Sequence, residues 1–130
     1  MKKILIVVAN YYPKISEKLL ETAKSGLNNY DITIIYSPGI FEIPVIISKN
    51  IDSFDGVIAL GCVIKGETPH FDFISQTFNN GIMKISIEKK KPIGNGVLTC
   101  LNKDQALARV NKGLEAANAT IQVLNNEITR

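Results

Sequence analysis

A chain of 130 residues, 45% apolar and 21% charged, is sized and composed for one folded core and not for disorder. Its formal charge of +3 is spread along the sequence, and the densest basic run, Lys89 to Lys91, reads as a solvated helix end, so no nucleic-acid footprint is expected. Cys62 and Cys100 lack CxxC spacing and should be free thiols, while Met1-Lys2-Lys3 before the short apolar run 4–9 fits neither a signal peptide nor a membrane span, which makes a soluble cytoplasmic protein the expectation.

Residues 3–9 (KILIVVA) form a β-branched apolar run of strand length, stopped by Asn10, Tyr11, Tyr12 and Pro13. The first strand therefore ends in aromatics. Ser16, Leu19, Leu20, Ala23 and Leu27 recur at helical spacing, with Gly26 and the Asn28-Asn29 pair marking the end. Residues 31–36 (DITIIY) read as a second strand and Ser37-Pro38-Gly39 as a turn. Pro44 then opens a helix that carries Val45, Ile46, Ile47 and Ile51 and is expected to be mostly buried. A third strand spans residues 55–61. The next helix runs from Pro69 toward Glu88 with Phe71, Ile74, Phe78, Ile82 and Ile85 on one stripe, and Gly81 weakens its middle. The fourth strand, residues 92–100 (PIGNGVLTC), leads into one final helix begun by Asn102 with Gln105 three residues on. That helix carries Ala106, Leu107, Val110, Leu114, Ala117, Ile121 and Leu124. Strands alternating with helices require crossover connections, hence a parallel sheet covered on both faces. The expected fold class is α/β: a flavodoxin-like, three-layer α/β/α sandwich on a four-stranded parallel sheet, in one domain over residues 1–130.

In such sheets ligands sit at the carboxyl ends of the strands. Residues 10–12, 40–42 and 65–70 follow the first three strands, and Arg109 and Lys112 lie beyond the fourth. The stretch 61–73 (GCVIKGETPHFDF) is the densest in chemistry and holds His70, the only histidine. Thr68-Pro69 reads as a helix opening, with Thr as cap and Pro at the first position. His70 then falls in the first turn, where the positive helix end biases its ring toward the neutral, proton-accepting form. The same helix end offers backbone N–H groups around Glu67 and Thr68 to a phosphate or carboxylate. An ordinary surface histidine at a capped helix is the competing reading.

Several chemistries are unsupported. Neither GxxxxGK[ST] nor GxGxxG occurs, and the first strand ends in Asn10 where a phosphoacceptor domain would offer carboxylates. His70 and Cys62 are too few for a metal site, so chemistry without metal or cofactor is expected. A Cys62–His70 nucleophile–base pair is disfavoured, because a thiol among strand residues is usually buried and inert. Arg109 and Lys112, three apart on a helix and so on one face, suit a shared phosphate or a solvated basic face. Tyr11 is a stacking ring or a strand-end plug, and Glu42 a helix-start acid or a polyol acceptor.

The strings PGIFEIP (38–44), GCVIKGETPHFDF (61–73), GVLT (96–99) and NKGLEAA (111–117) closely resemble the lumazine synthase family, in order and across nearly the whole chain. The resemblance implies a condensation of 5-amino-6-(D-ribitylamino)uracil with 3,4-dihydroxy-2-butanone 4-phosphate to 6,7-dimethyl-8-ribityllumazine, the penultimate step to riboflavin, without metal or cofactor. It implies stacking on Tyr11, where the family usually has Phe, and ribityl binding by Ile40, Phe41 and Glu42. The backbone of Cys62, Val63 and Ile64 would read the ring. Glu67 and Thr68 would hold phosphate, His70 would transfer protons, and Arg109 supported by Lys112 would bind phosphate. It also implies a homopentamer with active sites between subunits, and a sixty-subunit capsid as a further assembly.

Three departures from the family pattern stand out. Asn95 occupies a position where many members place a Phe that reaches the neighbouring subunit's site; the segment from Arg109 to Lys112 is short; and the chain starts at strand one. A non-catalytic lumazine or flavin binder, or a shell protein of the same fold, is the alternative that Asn95 favours.

Overall fold

A computed structural model describes residues 1–66 and 71–126. Four apolar runs become β1 (Lys3–Ala9), β2 (Asp31–Ser37), β3 (Gly56–Ile64) and β4 (Ile93–Cys100), which pair in the order β2-β1-β3-β4, all parallel. The helices are α1 (Pro13–Ser25), α2 (Ile43–Asn50), α3 (Phe71–Lys89), α4 (Lys103–Ala108) and α5 (Lys112–Leu124), with a 3-10 turn at Ile40–Glu42 leading into α2. This is the expected α/β architecture. No helix among the described residues is long and apolar enough to cross a membrane.

The strand period of two sends alternate side chains to opposite faces, and both faces are apolar because both are covered. Ile4, Ile6 and Val8 of β1 join Ile58, Leu60, Cys62 and Ile64 of β3 against α1 and α5. Leu5, Val7 and Ala9 join Val57, Ala59 and Val63 against α2 and α3. The register pairs Val7 with Ala59 and Ala59 with Asn95, so the sheet centre is β1–β3 and β4 is an edge.

Three expectations are corrected. β3 continues three residues past Gly61, because β4 runs beside it: Cys62 pairs with Leu98 and Ile64 with Cys100. α2 is not mostly buried. Only Ile43 and Ile47 are fully covered, while Val45 stands 57% exposed. α3 is continuous through Gly81, which faces Pro44 of α2. The final helix is two helices, α4 and α5, broken at residues 109–111. The break has a tertiary cause. Thr22 Oγ1 of α1 donates to the Val110 carbonyl at 2.8 Å, and a Cβ at Gly113 would overlap the Leu19 carbonyl oxygen, so α5 restarts at a closer approach to α1 than a continuous helix allows.

Candidate active site

The chain leaves β1 toward β2 on one side and returns to β3 on the other, so the crevice above the ends of β1 and β3 is the topological switch point where flavodoxin-like sheets seat ligands. Residues 10–12 form one wall there. The Asn10 N–H donates to the Ser37 carbonyl at 3.1 Å, and the Tyr12 carbonyl accepts from the backbone N–H groups of Ile15 and Ser16 as α1 begins. The buried Ser16 hydroxyl lies 2.8 Å from the Ala9 carbonyl and 3.0 Å from that of Tyr12, closing the loop from beneath. The opposite wall is the 3-10 turn after β2. Ser37 Oγ donates to the Gly39 carbonyl at 2.6 Å, and Gly61 in β3 carries no Cβ to collide with Ile40 Cδ1, which seats the turn directly against the sheet.

Between these walls lies a cavity of about 260 Å³. Seven residues singled out in the sequence line it together: Tyr11, Ile40, Phe41, Glu42, Cys62, Val63 and Ile64. Tyr12, Gly39 and Ile74 complete the lining. Tyr11 and Phe41 are 67% and 65% exposed, so two aromatic rings stand open at the mouth above a buried strand floor. That geometry suits a planar ring held between an aromatic face and strand backbone, with Glu42, half-buried, as a polar acceptor at one end. Sequence reasoning gave Tyr12 no role, although its place beside Tyr11 was the available signal.

Arg109 and Lys112 do not share this cavity. They flank the turn between α4 and α5 and are not on one helical face. With Thr99, Cys100, Asn111 and Glu115 they line a second cavity of about 430 Å³ beside the end of β4. One buried thiol lines each cavity. Cys62 lines the first and Cys100 the second. Burial, then the adjacent Cys100 and the hydrogen bond to its thiol, push the Cys62 thiol up to about 12. Cys62 is therefore neutral near pH 7 and unsuited to nucleophilic work.

Asn95 is in neither cavity. It sits mid-strand on the exposed edge of β4, where its Oδ1 accepts from its own strand's Val97 N–H at 3.0 Å and its Nδ2 donates to Asn79 Oδ1 of α3 at 3.1 Å. Glu67, Thr68 and His70 lie outside the described residues. A larger cavity, about 670 Å³, is at the opposite end of β4. Two of its polar groups are already engaged: Asp55 Oδ2 accepts from the Lys3 N–H at 2.7 Å, and Lys91 Nζ donates to the Ile51 carbonyl at 3.1 Å. Among the described residues no group of three or more His, Cys, Asp or Glu could hold a metal ion.

The sequence matches the family described as 6,7-dimethyl-8-ribityllumazine synthase over residues 1–127. It is similar to the 6,7-dimethyl-8-ribityllumazine synthase of Methylobacterium radiotolerans, 40% identical over 131 residues, which cover 94% of this chain and 80% of that protein. The enzymes of that name from Corynebacterium kroppenstedtii and Cutibacterium acnes are each 39% identical, over 92% and 94% of this chain and 80% of their own lengths. Fold and sequence agree, and the chain belongs to the 6,7-dimethyl-8-ribityllumazine synthase family.

Proposed function

We propose that the chain, as a single domain over residues 1–130, condenses 5-amino-6-(D-ribitylamino)uracil with 3,4-dihydroxy-2-butanone 4-phosphate to 6,7-dimethyl-8-ribityllumazine in riboflavin biosynthesis. The observation that carries this reading is the convergence of Tyr11, Ile40, Phe41, Glu42, Cys62, Val63 and Ile64 on one cavity at the switch point. Three separate sequence segments, at the ends of the neighbouring strands β1, β2 and β3, meet there.

In this reading the pyrimidine stacks on Tyr11 and is read by the backbone of residues 62–64, while Ile40, Phe41 and Glu42 hold the ribityl chain. Glu67 and Thr68 hold the phosphate of the second substrate, with Arg109 and Lys112 supplying positive charge. The amine attacks the ketone and water leaves to give a Schiff base. Phosphate then departs, and ring closure with loss of a second water completes the product. His70 carries protons between these steps. Most of the rate comes from holding amine and ketone together, and the rest from proton transfer.

Arg109 and Lys112 open onto a different cavity from Tyr11 within one chain, which supports sites completed by a neighbour's cations; the family resemblance makes that assembly a homopentamer. A sixty-subunit capsid is the larger assembly of the same unit. Sedimentation separates the two, and a monomer with full activity contradicts both. The working protein is cytoplasmic, and its partners are its two small-molecule substrates. Mixing both substrates with the protein and following lumazine absorbance tests the function itself.

A further inference from the structure

We propose that Tyr12 and Lys103 are positioning residues that hold the Tyr11 ring as a fixed stacking face for the planar pyrimidine, an inference that rests on the role given to Tyr11 above. A ring 67% exposed on a strand-end loop is free to turn, and each ligand that stacks on it must first stop that motion. Here the ring is not left to itself. Tyr12 meets it edge-to-face, with centroids 4.9 Å apart and planes at 84°, the arrangement that aromatic quadrupoles favour. Tyr12 is in turn clamped from two directions. Its carbonyl accepts from the Ile15 and Ser16 N–H groups and lies 3.0 Å from the Ser16 hydroxyl, while the Lys103 ammonium stands 5.6 Å from its ring centroid.

Lys103 is itself placed by a short capped helix. Asn102 Oδ1 accepts from the Gln105 N–H at 2.9 Å, and Gln105 Oε1 accepts from the Leu101 N–H at 2.9 Å, which fixes the backbone from which Lys103 reaches across to the end of β1. A chain of contacts thus runs from α4 through Tyr12 to Tyr11. It links the connection after β4 to the wall after β1, two segments far apart in sequence.

The test is steady-state kinetics on the full chain in its native assembly, with both substrates varied. Tyr12→Ala is expected to raise the KM for the ribitylaminouracil about fivefold, with the effect falling on that KM and not on the KM for the butanone phosphate. Tyr12→Phe restores the parental KM, and Lys103→Met raises it about twofold. In a Tyr11→Ala background, adding Tyr12→Ala changes the pyrimidine KM no further. Two results overturn the proposal: an unchanged KM in Tyr12→Ala, or the same fivefold rise persisting in the Tyr11→Ala background, which would make Tyr12 a direct contact or a general prop for the loop. If Tyr11→Ala alone leaves the pyrimidine KM untouched, the stacking role fails first, and that failure is read separately from the Tyr12 arms.

Discussion

Arg109 Nη1 reaches Cys100 Sγ at 4.0 Å, so the cation beyond β4 lies against the last residue of the edge strand and lines a different cavity from the one that holds Tyr11. Its charge is exposed and available to an anion. Arg109→Ala is expected to raise the KM for the phosphate substrate about tenfold, the worth of one charge-assisted hydrogen bond, while sparing pyrimidine affinity. Initial-rate measurements with each substrate varied in turn check this. Equal loss of both affinities contradicts the phosphate assignment.

His70 is assigned proton transfer and not binding. His70→Ala should slow turnover about a hundredfold, the low end of acid–base contributions, because amine and ketone still condense once held together. The dissociation constant for the pyrimidine, read by fluorescence or calorimetry, should stay within about twofold. Unchanged turnover removes His70 from the mechanism.

The Cys62 thiol gives stability a pH dependence of known sign. It ionises at 9.0 in an ordinary setting and at about 12 when folded, because burial and then Cys100 disfavour the thiolate. Between those values the folded chain holds a proton that the unfolded chain has lost, so this contribution is full below about pH 9 and fades as pH rises toward 12. Urea midpoints measured from pH 8 to 11 should fall more steeply for the parent protein than for Cys62→Ala. Parallel curves would show that the thiol is not held neutral.

The approach of α5 to α1 depends on Gly113. Gly113→Ala pushes a methyl group into the Leu19 carbonyl and Thr22 Oγ1, and the nearest of these is backbone that cannot rotate away. A loss of about 2 kcal/mol is expected, typical of overpacking, and chemical denaturation measures it. An unchanged midpoint would mean that the helices separate freely.

The strands were legible because β-branched runs bounded by Pro, Gly and Asn have few other uses, and all four appear where the sequence puts them. Their ends were less so. A fully buried run such as residues 56–64 gives no alternation to mark where pairing stops, and only the length of β4 alongside sets it. The break between α4 and α5 was invisible for another reason. Apolar residues continue at helical spacing through Val110, and what interrupts them is a hydroxyl on α1, 88 residues away. Asn95 was singled out by resemblance alone; within one chain its amide bonds Val97 and Asn79. The cavity residues were readable mainly through resemblance, since Ile40, Cys62 and Val63 carry no chemistry that spacing alone would single out.

The most direct measurement is the rate of lumazine formation when the purified protein is given both substrates. A rate well above the uncatalysed condensation, saturating in each substrate and reduced in Tyr11→Ala, is the predicted result. A rate equal to that of the buffer alone, from folded protein, would contradict the account at its centre.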